Sequence, residues 1–198
     1  METLLKPAVY KILTLFYSNR NLPLHLREIA RKTEMNESSI SRHLNQMAKA
    51  GLLKTISEAN LRKFYVSQKD IPLVFPLFDG DRLGKLPLLR RNAIIYFLQK
   101  LEKTPVIAVV FGSTAKGNFR ADSDLDLLLV VNGKINDVPA KNFVEAQTSI
   151  RIQTFFISEN KFKKELKTKT DKVLLSAVET GFPVFNQKYY YELTCNEP

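Results

Sequence analysis

The chain has 198 residues, enough for two small domains or one of ordinary size, and its 44% hydrophobic, 25% charged and 10% aromatic residues exclude a disordered polymer. No apolar run approaches the roughly 20 residues that span a bilayer, and the start METLLKPAVYK lacks the apolar stretch of a signal peptide, so a cytoplasmic protein with no membrane partner is expected. The net charge is +10, and residues 1–70 hold 12 Lys+Arg against 6 Asp+Glu while residues 71–198 hold 18 against 14, which makes nucleic acid the leading partner of the first third.

In chain order, LLKPAVYKILTLFYS predicts a first helix, with Leu5, Val9, Ile12, Leu13 and Phe16 at helical spacing. A short second helix fits LHLREIARKT. Asn36 offers a side-chain oxygen to cap a third helix, ESSISRHLNQMAKA, which Gly51 closes. LLKTI and KFYVS are β-prone runs separated by the polar turn SEANLR, which predicts a hairpin.

On the third helix Ile40, Leu44 and Met47 face a core, whereas Ser38, Arg42, Asn45, Gln46 and Lys49 project to the other side. That outer face is polar, cationic and free of carboxylates, with the groups that bond to base edges and phosphates. Arg62 and Lys63 in the hairpin are placed to touch flanking phosphates. His43, on the flank of the helix, is expected to be a partly buried, satisfied histidine. Helix, helix, turn, helix, Gly-Leu-Leu and a basic hairpin resemble a winged helix-turn-helix domain. NESSISRHLNQMAKAGLL is similar to the recognition helix of ArsR- and MarR-type regulators, over roughly residues 3–68. The resemblance implies double-stranded DNA as partner, the third helix in the major groove, and a homodimer.

Pro72, Pro76, Gly80, Gly84 and Pro87 then cluster in IPLVFPLFDGDRLGKLP, which predicts a linker, docked through Leu73, Phe75, Leu77 and Phe78. LLRRNAIIYFLQKLEK follows as an amphipathic helix with Leu89, Ile94, Phe97, Leu98 and Leu101 near one side. PVIAVVFGS, DLDLLLVV and IRIQTFFIS are expected strands, with a helix around VPAKNFVEAQ and a closing helix near KTDKVLLSAVET. The one cysteine, Cys195, excludes an intrachain disulfide and a thiolate metal cluster, and His25 and His43 cannot build a zinc site with it.

The chemistry concentrates in FGSTAKGNFRADSDLDLLLV, residues 111–130. A strand ends at Gly112-Ser113, a polar loop of ten residues follows, and the next strand opens on Asp124-Leu125-Asp126. Residues two apart on a strand share a face, so both carboxylates point one way and Leu125 and Leu127 point into the core. Paired carboxylates repel, and their natural companion is a divalent cation such as Mg²⁺, which takes one or two carboxylates and completes its shell with water and phosphates. Gly112 lets a phosphate approach the backbone, Ser113 supplies an N–H and a hydroxyl, and Lys116 and Arg120 can neutralise triphosphate charge.

This run resembles the signature of the DNA polymerase β-like nucleotidyltransferase superfamily. It is especially similar to the minimal nucleotidyltransferase domains of archaea and bacteria, whose FGSxARGxxxxxSDIDLLV it matches almost throughout, over about residues 88–193. By that resemblance Gly112, Ser113 and Lys116 bind nucleotide, and Asp124 and Asp126 are catalytic and hold the metal for transfer of NMP from an NTP to a hydroxyl. Two positions depart from the family. Lys116 stands where Arg is usual, and IRIQTFFIS lacks the third carboxylate of active members, with Gln153 near its place and Glu145 and Glu159 on adjoining segments.

The resulting expectation is an α+β protein: residues 1–70 a winged helix-turn-helix, 71–87 a docked linker, and 88–198 a nucleotidyltransferase-fold mixed sheet flanked by helices. Three functions fit it. One is a DNA-associated nucleotidyltransferase, another a regulator whose impaired transferase domain senses nucleotide, and the third an antitoxin-type partner of a helical toxin.

Overall fold

The computed structural model describes residues 5–19, 22–58 and 61–195. The chain divides into two compact units, Met1–Phe78 with Cys195–Pro198, and Asp79–Thr194. Among the described residues no helix is long and apolar enough to cross a membrane.

The first unit contains α1 (Pro7–Ser18), β1 (Leu24–His25), α2 (Leu26–Thr33), α3 (Glu37–Lys49), β2 (Leu53–Glu58) and β3 (Leu61–Val66). Helix α1 starts at Pro7 rather than further upstream, because a proline at the first helical position fits the φ it needs and lacks only an N–H that would be unpaired anyway. Of the upstream residues assigned to this helix, Leu4 lies outside the described ones. Helix α2 is shorter than expected, since Leu24 and His25 pair with Phe64 and Lys63 and belong to the sheet. The cap on α3 forms as expected: the Ser39 N–H donates to Asn36 Oδ1 at 2.7 Å. At its far end Gly51 adopts φ +82°, and the N–H groups of Gly51 and Leu52 donate to the carbonyls of Ala48 and Met47, both at 3.0 Å. Ile12, Leu13, Phe16, Ile29, Ile40 and Leu44 are buried together in this three-helix core. The sheet is antiparallel with β3 central, in the order β1-β3-β2, so the hairpin is present; residues 59 and 60 of its expected turn lie outside the described ones.

The stretch read as a linker is a helix, α4 (Ile71–Lys85), with Pro76 inside it. Local breakers lose here to tertiary packing. Phe75 and Phe78 are buried, with ring centroids 5.3 Å from Tyr17, and Phe78 also lies 5.2 Å from Tyr10. Further along α4, buried Asp79 accepts the Tyr191 hydroxyl at 2.8 Å, and Arg82 donates to the carbonyls of Ala115 at 2.7 Å and Thr180 at 3.1 Å. The division between the two units falls inside this helix.

The second unit continues with α5 (Leu88–Lys100), β4 (Ile107–Phe111), α6 (Gly112–Lys116), β5 (Leu125–Val131), α7 (Val138–Thr148), β6 (Ile152–Ser158), α8 (Glu159–Thr168), α9 (Lys172–Thr180), β7 (Phe182–Phe185) and α10 (Gln187–Thr194). Its mixed sheet has the order β6-β5-β4-β7, with β5 parallel to β6 and β4 antiparallel to both β5 and β7. The α+β expectation is met. Strands β4 and β5 are buried almost throughout, and Leu125, Leu127 and Leu129 pack in one cluster with Ile94 and Phe97 of α5 and Val144 of α7. The expected face of α5 needs one correction: Leu89 is 54% exposed, while Arg90 is only 3% exposed. Four elements of this unit were not foreseen, α6, α8, β7 and α10. Pro183 disfavours a strand, yet β7 accommodates it because it lies at the edge of the sheet.

Candidate nucleotide site and nucleic-acid face

The candidate site in the second unit is built where β4 turns and β5 begins. Gly112 follows Phe111 at φ +66° and starts α6, so the expected ten-residue loop opens with a helical turn that Gly117 closes at φ +74°. A Cβ at position 112 would collide with the Asp126 carboxylate, well inside van der Waals contact. The glycine therefore does two things: it permits the left-handed turn and leaves room for the acid. Register places Phe111 opposite Asp126 across the β4–β5 pair. Asp126 lies on β5 and Asp124 just before its first residue, with the two carboxylates near enough to interact, while Leu125 and Leu127 are fully buried.

Arg90 was missed by sequence reasoning, and it organises this loop. Its guanidinium donates to Thr114 Oγ1 at 2.9 Å, to the Arg120 carbonyl at 2.9 Å and to the Ser123 carbonyl at 2.7 Å, and it lies 4.2 Å from the centre of the Phe119 ring. Ser123 Oγ accepts the Arg120 N–H at 2.9 Å, tightening the same turn. A charged residue on a helix otherwise reads as a solvated one. The signal available in the sequence was only the pair of backbone-rich turns around Gly117 and Ala121, which need donors.

Electrostatics ties these groups together. Burial and the adjacent Asp124 carboxylate push Asp126 above the usual carboxylate range, with Arg90 partly offsetting them. Burial lowers the Arg90 guanidinium from its ordinary value, while Asp124 and Asp126 act the other way. Asp124 Oδ1 is shielded from solvent and has no hydrogen-bond partner, although Arg151 Nε lies 3.1 Å from it as an ion pair. Lys116 and Arg120 are exposed beside the site, and Ser113 is half-buried in the first turn of α6.

The parallel register sets Gln153 of β6 opposite Asp126. No carboxylate takes its place. Glu159 lies beyond the far end of β6, roughly 20 Å along the strand at about 3.3 Å per residue. It is already engaged: hydrogen bonds from Lys163 at 2.6 Å, the Tyr189 hydroxyl at 2.5 Å and Asn132 hold its carboxyl down to about 2, and Lys163 is pushed up to about 12. Glu145 is exposed on α7. Among the described residues no group of three or more His, Cys, Asp or Glu side chains can hold a metal ion. The donor set of Asp124 and Asp126, with one solvent-shielded oxygen lacking a hydrogen bond, fits a single divalent cation.

In the first unit Ser38, Arg42, Asn45, Gln46 and Lys49 are all exposed along α3, while Ile40, Leu44 and Met47 are buried behind them. A groove of about 640 Å³ runs between α3 and the hairpin, lined by Asn45, Lys49, Lys54, Arg62 and Tyr65. Arg62 bridges it, donating to Asn45 Oδ1 at 3.2 Å and lying 4.9 Å from the Phe64 ring centre. Lys63 is not brought to that groove. As the next residue along β3 it points to the opposite face, where it is paired with Glu58. His43 is half-buried.

The two units fall into different classes, a helix-turn-helix of the DNA-binding type and an α+β nucleotidyltransferase domain. More particularly, residues 92–189 match the family described as polymerase beta, nucleotidyltransferase, and residues 6–55 match bacterial regulatory protein, arsR family. The chain carries one domain of each kind. No curated protein sequence matches it at a significant level. Among solved structures, one described as a crystal structure of a toxin-antitoxin with AMP-PNP is similar at 14% identity and a TM-score of 0.34, over 51% of this chain and 79% of that one.

Proposed function

We propose that the protein is a DNA-binding regulator whose nucleotidyltransferase domain binds a nucleotide with Mg²⁺ without turning it over. The observation that carries this reading is the register of Gln153 with Asp126. It leaves two carboxylates where metal-assisted transfer uses metals at both the attacking and the leaving oxygen. Asp124 and Asp126 would hold the cation, whose chemistry when bound is Lewis-acid neutralisation of phosphate oxygens. Gly112, Ser113 and Lys116 would receive the phosphates. Gln153 can donate and accept hydrogen bonds but carries neither negative charge nor basicity. On the first unit, the exposed Ser38, Arg42, Asn45, Gln46 and Lys49, with Arg62 across the groove, form the surface for double-stranded DNA.

A second reading is transfer of NMP to a hydroxyl. It is favoured by the retention of Gly112, Ser113 and both aspartates in one arrangement. One experiment separates the two: incubation of the full chain with labelled NTPs, Mg²⁺ and candidate protein and nucleic-acid acceptors, alongside Asp124→Asn/Asp126→Asn. Retention of nucleotide on the wild type without labelled product is the expected result. Labelled product lost in the variant establishes the transferase instead, and neither retention nor transfer removes both readings.

A further inference from the structure

Strands β5 and β6 begin side by side, and their register builds a two-by-two array on one face. Leu125 pairs with Ile152, so the side chains just before them, Asp124 and Arg151, share the face of the next registered pair, Asp126 and Gln153. The Leu125 N–H donates to the Arg151 carbonyl at 2.9 Å, which fixes the start of the pairing. Within this array Arg151 Nε stands 3.1 Å from Asp124 Oδ1. On its other side lies an amide rather than an acid, so the face carries two negative charges and one positive charge that is part of the protein. Arg90 adds a second cation behind the aspartates.

We propose that the Arg151 guanidinium takes the electrostatic place of a second divalent cation, so that the nucleotide-bound site accepts one such ion and no more. The proposal deepens the nucleotide-site reading and rests on it. A guanidinium cannot lose its charge in a protein, so it is a permanent competitor for Asp124. A second dication brought to the same carboxylate would meet this fixed positive charge and would find no third carboxylate to offset it. Gln153 completes the arrangement by offering a neutral oxygen where an acid would recruit the ion. A site built this way holds a metal-nucleotide complex and lacks the clamp on both oxygens of an in-line displacement.

The test titrates Mn²⁺ into the full chain saturated with a non-hydrolysable ATP analogue, read by calorimetry and by the paramagnetic resonance of bound Mn²⁺. The wild type is expected to bind one Mn²⁺ per chain, and Arg151→Ala/Gln153→Glu a second. Arg151→Lys/Gln153→Glu keeps the positive charge and is expected to remain at one. Both positions are exposed, so the substitutions leave the core untouched, and a far-UV circular dichroism spectrum checks that the variants are folded. Two Mn²⁺ in the wild type overturn the proposal while leaving the nucleotide site standing. A single Mn²⁺ in the folded Arg151→Ala/Gln153→Glu chain also overturns it. Absence of Mn²⁺ and nucleotide binding in the wild type overturns this proposal together with the nucleotide reading beneath it.

Discussion

Gly112 joins the two requirements of the candidate site, a left-handed turn out of β4 and empty space over Asp126. Gly112→Ala must strain the backbone and displace the carboxylate, so it is expected to cost about 1–3 kcal/mol in urea unfolding and to abolish nucleotide binding. Gly117 provides the control, because it also has positive φ but nothing lies near where its Cβ would be. Gly117→Ala should lose stability through strain alone and keep binding; equal loss of binding in both variants would dismiss the idea that the space over Asp126 matters. The glycine, the serine and the two aspartates were legible in the sequence because their spacing along a strand, a turn and a strand is local. Arg90 was not legible. It lies 30 residues from one carbonyl it holds and 33 from another, and only the folded chain brings them together.

Helix α3 was the most legible element, since its apolar spacing, its Asn36 cap and its Gly51 terminus all act within one helix. Its exposed cations make a direct forecast. Arg42→Ala/Lys49→Ala is expected to weaken duplex binding and, if each side chain neutralises one phosphate, to reduce the logarithmic salt slope by about 2. Unchanged affinity and slope across a salt series would remove this helix from the interface. Helix α4 shows the opposite case. Two prolines and two glycines read locally as a linker, but the buried rings of Phe75 and Phe78 and the anchored Asp79 and Arg82 make the helix the better solution. The same holds for α6, a five-residue helix whose Thr114 hydroxyl and Ala115 carbonyl are tied by distant arginines rather than by local propensity.

At the level of the whole molecule, a helix-turn-helix domain and a nucleotidyltransferase domain on one chain form a regulator only if their proposed ligands, duplex DNA and nucleotide, are energetically linked. Linkage is reciprocal, so a nucleotide that changes the affinity for DNA must find its own affinity changed by DNA to the same extent. Titration of a fluorescent duplex with and without Mg²⁺ and a non-hydrolysable ATP analogue should shift the dissociation constant by about 5-fold or more, with the same factor in the reverse titration. Equal dissociation constants in all conditions would leave two independent binding domains and no regulator. Taken by itself, the sequence determined the two domain classes, the exposed polar face of α3 and the positions of Gly112, Ser113, Asp124 and Asp126, because periodicity, caps and strand alternation are short-range properties. Only the tertiary structure decided that Arg90 is buried behind the loop, that Lys63 faces away from the groove, and that Arg151 and Gln153 flank the aspartates. Those placements depend on which strand lies beside which and in what register, and a one-residue slip of β6 against β5 would turn Arg151 and Gln153 to the opposite face.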